Sequence, residues 1–313
     1  MMSLKFVDPA REELNMLYHF DAARIRNTTL PDNPESGIDY SLIALKKMFT
    51  EWDKAVDKGW PSIYLGNHDQ PRMVSRFGSD KDEFRALSAK MLITFLLTMR
   101  GTPYWFAGDE IGMRNIRFDR IEDYNDIDTI NRYKKAKAEG KDPQAVLDEQ
   151  KETGRDNART PFQWDRSPEA GFTAGTPWLK VNPDYTWINV ADEEKDPTSI
   201  LNYFKKVVSF RKENPSLIYG SYHLLDAENP QSYTFLRKTG ADTYLIMLNF
   251  SPKAAISTPG IDMSNAHVLL DNYGDRSHMA PQKDITLRPF EAIVFQLNHP
   301  VYESFIDSLD LLE

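Results

Sequence analysis

Two short stretches hold most of the side chains able to do chemistry. The first is Asn67-His68-Asp69-Gln70-Pro71-Arg72, which follows at once on the apolar run Ile63-Tyr64-Leu65-Gly66. An imidazole, a carboxylate and a guanidinium this close together can grip hydroxyl groups and stabilise a developing positive charge. In parallel α/β architectures such groups project from the C-terminal ends of strands. A polar turn with a capping aspartate would show the same composition. The second stretch is Arg155-Asp156-Asn157-Ala158-Arg159-Thr160-Pro161-Phe162-Gln163-Trp164-Asp165. Its arginines and carboxylates suit hydroxyls, and Trp164 suits the face of a sugar ring. A surface loop stitched by ion pairs is the other reading.

The remaining candidates are plainer. The acidic stretch Asp119–Asp128 lacks the ligand order and central glycine of an EF-hand loop and reads as a solvated face. His68 forms no metal site by sequence, because the other five histidines lie 11 or more residues from one another. Tyr104-Trp105-Phe106 read as core. There is no cysteine, which excludes disulfides, thiolate catalysis and zinc–thiolate sites.

The elements that must position these groups have two textures. Leu14–Phe20, Ile63–Leu65 and Thr102–Ala107 read as buried strands. Leu42, Leu45, Phe49, Trp52 and Val56 recur at spacings of three and four, marking a helix face with Asp39 as N-cap and Gly59 as stop. A second helix runs from Asp82 to Met99, with Phe84, Leu87, Met91 and Phe95 inward, and stops at Gly101. Strand and helix in alternation predict a parallel sheet covered by helices. Residues 117–160 are highly charged and read as an excursion without a core, with helical runs at Ile130–Lys137 and Pro143–Lys151. A helix is predicted over Thr198–Lys212. After Gly220 the runs Ser232–Arg237, Thr243–Phe250, Val268–Leu270 and Ala292–Leu297 alternate, and Lys238–Asp242 is a hairpin loop. That pattern predicts a small antiparallel sandwich.

The 313 residues carry 38 Lys plus Arg against 47 Asp plus Glu, a net charge of −9. That balance argues against a general binder of nucleic acid or of anionic membranes. At 41% hydrophobic the chain can bury a core. Met91–Met99, the longest apolar stretch, is interrupted by Thr94 and Thr98 and is far short of the roughly 20 residues of a membrane span. The first residues turn acidic before any apolar run develops, so a cytoplasmic protein is expected.

YLGNHDQPR, GTPYWFAGDEIGM and RDNARTPFQWD with the following AGFTAGTPWLKVNPDY together resemble the α-amylase superfamily, glycoside hydrolase family 13, in its oligo-1,6-glucosidase and α-glucosidase branch. The resemblance implies an α/β plus all-β architecture: the C-terminal part of a (β/α)8 barrel, strands six to eight, over residues 1–216, then an antiparallel β-sandwich over 217–298. Residues 299–313 form a tail outside the resemblance. It implies that Asp69 is the carboxylate that stabilises the oxocarbenium-like transition state, and that His68 bonds the hydroxyls of the sugar at the scissile bond. Arg155 matches an arginine closing the pocket over the non-reducing end. Arg72 is placed near the entrance and Asp128 near the next sugar subsite. α-Glucoside oligosaccharides are the implied ligands. No organic cofactor is implied, and a calcium site would lie in the barrel half not present here.

A retaining glycosidase needs two carboxyl groups about 5–5.5 Å apart. In this family the nucleophile sits in a GFRxD-like motif after the fourth strand and the acid glutamate follows the fifth. Neither motif occurs in these residues. The expectation is therefore an exo-acting, retaining α-glucosidase lineage whose present chain is inactive alone. The exposed barrel edge is expected to meet the missing N-terminal half or another copy. The alternatives are a non-catalytic carbohydrate-binding or subunit-type relative and, among enzymes, a sucrose isomerase or a trehalose-6-phosphate hydrolase.

Overall fold

Short parallel strands, each followed by helical segments, open the chain, and longer antiparallel strands close it. The computed structural model describes residues 6–18, 20–54, 59–240, 242–276 and 283–297. The expected tail at 299–313 and the expected helix-face residue Val56 lie outside them. The strands are Met16–Leu17 (β1), Trp60–Ile63 (β2), Thr102–Pro103 (β3), Ser221–Leu225 (β4), Ser232–Thr239 (β5), Asp242–Asn249 (β6), Ala255–Ser257 (β7), Ala266–Asp271 (β8), Ile285–Leu287 (β9) and Ala292–Leu297 (β10). The helices are Asp21–Thr28 (α1), Leu42–Lys54 (α2), Met73–Phe77 (α3), Asp82–Thr98 (α4), Ile127–Ala138 (α5), Gln144–Thr153 (α6), Val190–Glu193 (α7), Ile200–Glu213 (α8) and Ser216–Tyr219 (α9). Among the described residues no helix is long and apolar enough to cross a membrane.

The chain divides into two compact units. One draws its described residues from Met1–Ile63, Thr94–Pro103 and Val208–Glu313, the other from Tyr64–Ile93 and Tyr104–Val207.

The first unit holds both main sheets. β1, β2 and β3 pair in parallel in that order. The Ser62 hydroxyl donates to the Leu17 carbonyl at 2.7 Å, and Trp60 Nε1 donates to Thr102 Oγ1 at 2.9 Å. The strand expected at Ile63–Leu65 thus begins and ends earlier. Tyr64 and Leu65 are buried without being part of it.

The antiparallel sheet runs β4-β5-β6-β10-β8, and β7 pairs with β9. Leu236, Leu245, Met247, Ile293 and Phe295 share a buried cluster with Ile285 and Leu287 of β9. An aromatic cluster joins α2, the last turn of α4 and the sheet: Phe49 meets Phe95 at 5.1 Å, and Phe95 meets Tyr233 at 5.2 Å and Phe250 at 5.7 Å. Such pairs are favourable beyond the area they bury.

α2 buries Leu42, Leu45, Phe49 and Trp52, as its spacing predicts. Its N-cap is Ser41 and not Asp39. The Ser41 carbonyl accepts from the Leu45 amide and its hydroxyl accepts from the Ala44 amide at 2.9 Å, while Asp32 takes the Ile43 amide. Lys46 on α2 is fully buried. Its Nζ donates to the carbonyls of Asp226, Ala227 and Asn229 at 3.1, 3.2 and 2.7 Å, and burial pushes its pKa down to about 8.

α4 differs from its predicted pattern. The expected single inward face becomes burial on all sides from Met91 to Met99, as in a helix inside a large core. Thr98 tolerates this because its hydroxyl donates to the Thr94 carbonyl at 2.7 Å.

Two arginines serve the carbonyls that α4 leaves unpaired at its end. Arg211 Nη1 donates to the carbonyls of Leu97, Met99 and Leu217, each at 2.8 Å, and Nη2 to that of Gly101 at 2.7 Å. Arg237 donates to the carbonyls of Thr98, Leu217 and Gly220.

In the second unit, residues 117–160 are not the coreless excursion their charge suggests. Phe118, Tyr124, Leu147 and Leu179 form a buried cluster with Ile116, Ile121 and Tyr133 packed on it. A second cluster joins Ile111, Met113, Ile188 and Leu201. The Tyr104-Trp105-Phe106 run is only partly core. Tyr104 is exposed, whereas Trp105 packs on Phe204 at 4.6 Å.

Candidate active site

β2 ends at Ile63, and six residues later the chain has turned. The Gln70 amide donates to the Asn67 carbonyl, and the Asp69 amide donates to Asn67 Oδ1 at 2.8 Å. Asn67 thus folds the backbone onto itself, as asparagine does at turns, and leaves His68 and Asp69 facing outward.

The other half of the cluster comes from the far side of the helix pair α5 and α6. α6 ends at Thr153, and Arg155–Asn157 form one 3-10 turn. Asn157 pins that turn. Its Nδ2 donates to the carbonyls of Gln150, Lys151 and Gly154, and its Oδ1 accepts from the Arg117 amide. Asp156 Oδ2 accepts from the amides of Asn125 and Asp126, which fixes the start of α5. Asp126 is the N-cap of α5, its Oδ2 accepting from the Thr129 amide and hydroxyl.

These supports bring two guanidiniums between two carboxylates. Arg159 Nη2 donates to Asp69 Oδ1 at 2.9 Å, and its Nε donates to the His68 carbonyl at 2.8 Å. Arg155 Nη2 lies 2.8 Å from Asp126 Oδ1, and Nη1 lies 3.8 Å from Asp69 Oδ1. His68 Nε2 is 3.4 Å from the other oxygen, Asp69 Oδ2. The indole Nε1 of Trp178 donates to the Arg159 carbonyl at 2.8 Å.

Burial separates the roles. The Asp69 side chain is 43% exposed and that of His68 72%, against 4% for Asp126 and 1% for Asp156. Burial alone would push the Asp126 carboxyl up. The Thr129 hydrogen bonds and the Arg155 and Arg159 guanidiniums outweigh it and hold the group below the usual carboxylate range. Asp69 is therefore the carboxylate of this cluster that a ligand can reach, while Asp126 and Asp156 hold the arginines that hold it.

Of the residues singled out by sequence, the structure gathers His68, Asp69 and Arg155. It does not gather Arg72 or Asp128. Arg72 does not stand at an entrance: it is 2% exposed, and its Nη1 donates to the Ala107 carbonyl at 2.6 Å over the Phe106 ring. The physical reason is Asp109, a buried carboxylate whose charge favours a guanidinium nearby. Asp128 sits exposed on the first turn of α5, outside the cluster.

Sequence reasoning missed Asp126, because the surrounding acidic stretch looked solvated. The signal was local: Asp126 with Thr129 three residues on, opening a helix. Arg159 lay in the second motif, with nothing in the spacing to show that it would reach Asp69. Among the described residues no group of three or more His, Cys, Asp and Glu side chains is arranged to hold a metal ion.

Behind the turn, the Asp109 carboxylate packs against Gly66. A Cβ there would stand 2.5 Å from Asp109 Oδ2, so the position needs glycine. Burial pushes the Asp109 carboxyl up to about 7, against the downward pull of Arg72. A carboxyl raised in the folded state from an unfolded value near ~3.9 stabilises below that value and loses its contribution as pH rises through 7. Asp109→Asn should therefore shrink the fall in stability between pH 5 and pH 8, read as urea midpoints of both proteins. Glu193, which burial also pushes up to about 7, titrates the same way in both and cancels in the difference. Equal pH slopes in the two proteins would refute the assignment.

A parallel sheet with helices and a separate antiparallel sheet define an α/β plus all-β chain, and the comparisons place it in a family. The family model described as alpha amylase, catalytic domain, matches residues 2–220, and the chain belongs to that family. An oligo-1,6-glucosidase of Parageobacillus thermoglucosidasius is 45% identical over 302 residues, covering 94% of this chain and 52% of that protein. Among solved structures, the trehalose-6-phosphate hydrolase of Bacillus licheniformis aligns over 95% of this chain and 54% of its own at 34% identity and a TM-score of 0.85. The trehalulose synthase of Pseudomonas mesoacidophila MX-45 aligns over 94% and 53% at 36% identity, also with a TM-score of 0.85. The chain spans about half the length of the curated relatives it matches.

Proposed function

We propose that this chain supplies one wall of an α-glucoside-cleaving pocket, with Asp69 as the carboxylate that stabilises the oxocarbenium-like transition state, His68 as a hydroxyl ligand and Arg155 as the closing group at the non-reducing end. On this reading β1, β2 and β3 are strands six, seven and eight of a (β/α)8 barrel within residues 1–216, and 217–298 are the sandwich. The carrying observation is the clamp on Asp69: one oxygen held by Arg159 at 2.9 Å, with the imidazole of His68 beside the other. A carboxylate fixed at the surface by cations that are themselves fixed by buried carboxylates is preorganised for a positive charge.

Hydrolysis with retention requires a nucleophile and an acid about 5–5.5 Å apart. The other carboxylates of the cluster, Asp126 and Asp156, are buried and committed to hydrogen bonds, so they do not fill those roles. We therefore expect no turnover of p-nitrophenyl α-glucoside by the chain alone. A chimera with this chain in place of the matching half of the Parageobacillus oligo-1,6-glucosidase should hydrolyse it. Turnover by the chain alone, or a folded but inert chimera, would overturn the proposal.

Phe6, Leu14, Phe20 and Leu30, around β1 and α1, are each more than half exposed. Apolar side chains gathered so near a short edge strand favour association with the rest of a barrel or with another copy. Light scattering of the purified chain should show species larger than a monomer; a monodisperse monomer counts against this part.

A further inference from the structure

Within the second unit, the segment after Trp164 carries a local cost that the Asp69 cluster does not use. Glu169 and Ala170, neither of them glycine, both adopt left-handed backbone, with φ 54° and 56°. Non-glycine residues in that region are disfavoured, and such strain collects at ligand sites. The turn is held by the Ala170 carbonyl, which accepts from the amides of Trp164 and Asp165. Glu169 lines an open pocket of about 430 Å³ together with Thr176, Lys180 and Tyr185, and Pro177 and Val181 are among its apolar lining.

The chemistry of that wall is specific. Among the described residues the Glu169 carboxylate, the Thr176 hydroxyl and the Tyr185 hydroxyl make no hydrogen bond or ion pair, while Lys180 Nζ is paired with Asp123 at 2.7 Å. The free groups are acceptors and hydroxyls set beside apolar rings, and the one cation is neutralised. An anion finds no uncommitted charge here. A ring with hydroxyls on its rim and C–H groups on its face satisfies both surfaces, and the volume falls in the ordinary range for small ligands. Trp178, 59% exposed and edge-on to Phe172 at 5.0 Å, is part of the same segment.

We propose that the pocket formed by Glu169, Thr176, Lys180 and Tyr185 is a second saccharide-binding site, taking a neutral mono- or disaccharide unit. It shares no residue with the His68–Asp69 cluster and does not depend on the role proposed for Asp69.

The test is titration of the isotopically labelled chain with isomaltotriose and, separately, maltotriose, followed at the amides of residues 169–185. Saturable shifts there are expected, unchanged by Asp69→Asn. Glu169→Gly should weaken binding roughly tenfold by removing the acceptor, and Tyr185→Phe roughly fivefold. Glu169→Gly also relieves the left-handed backbone, so its thermal midpoint should be equal or higher, which separates lost affinity from lost fold. Absence of saturable shifts, or shifts indifferent to both variants, overturns the site. Shifts confined to His68, Asp69 and Arg155 overturn it too, while leaving the proposed function standing.

Discussion

Asp69→Asn in the chimeric enzyme should lower kcat/KM by about 10³-fold or more, with most of the loss in kcat. The substitution keeps the shape of the side chain and removes its charge. At about 4 Å, opposite charges are worth ~1 kcal/mol in water and ~4 kcal/mol at the effective dielectric of a protein surface. A loss of about 4 kcal/mol from the transition state corresponds to ~10³ in rate. The arginines enlarge the effect. In the variant, the Arg155 and Arg159 guanidiniums, now 3.8 and 2.9 Å from Asp69 Oδ1, would lose the negative charge that balances them beside a developing cation. An interaction realised only in the transition state lowers kcat and kcat/KM together and leaves KM nearly unchanged. A loss below tenfold would remove Asp69 from the chemistry.

Arg211→Met should cost about 3–5 kcal/mol of stability, enough to unfold much of a marginally stable chain. Arg211 is 6% exposed and satisfies four carbonyls at 2.7–2.8 Å. Burial pushes its pKa down to about 10 and that of Arg237 to about 9, so both stay charged at neutral pH. Methionine would fill the space but take this donor from the carbonyls of Leu97, Met99 and Gly101, at about 1–3 kcal/mol for each one that water cannot reach, while the Leu217 carbonyl keeps Arg237. Arg211→Lys, with one ammonium in place of a planar fork, should fall between. Urea unfolding followed by circular dichroism decides it; a loss under 1 kcal/mol for the methionine variant would show that the carbonyls find other partners.

The sequence showed periodic features well and distant encounters poorly. The helix face of α2, the extent of α8 and strands β5, β6 and β10 follow patterns that a few neighbouring residues complete. β2 was displaced because burial and strand pairing coincide only in part: Tyr64 and Leu65 are apolar because they are buried, yet the ladder ends at Ile63. β7 and β9 have three residues each, too few for alternation to register. At the candidate site the motif residues were evident by type, but their partners were not. Asp126 and Arg155 stand 29 positions apart, and Asp69 and Arg159 stand 90 apart. No spacing rule links such pairs; only the α5–α6 turn brings the first together. Arg72 misled because a guanidinium beside a polar motif looks like a ligand, whereas Asp109, 37 positions on, draws it inward.

The wiring of the first unit bears on how the protein is made. Lys46 finds its acceptors at Asp226, Ala227 and Asn229, some 180 positions downstream. At a translation rate of about 5–20 residues per second, a ribosome needs roughly 9–36 seconds to deliver them. Through that interval the nascent chain carries α2 with its amine and its apolar stripe uncovered. Lys46 Nζ also lies 5.9 Å from the centre of the Tyr233 ring, so the cover of α2 is complete only once β5 has been synthesised as well.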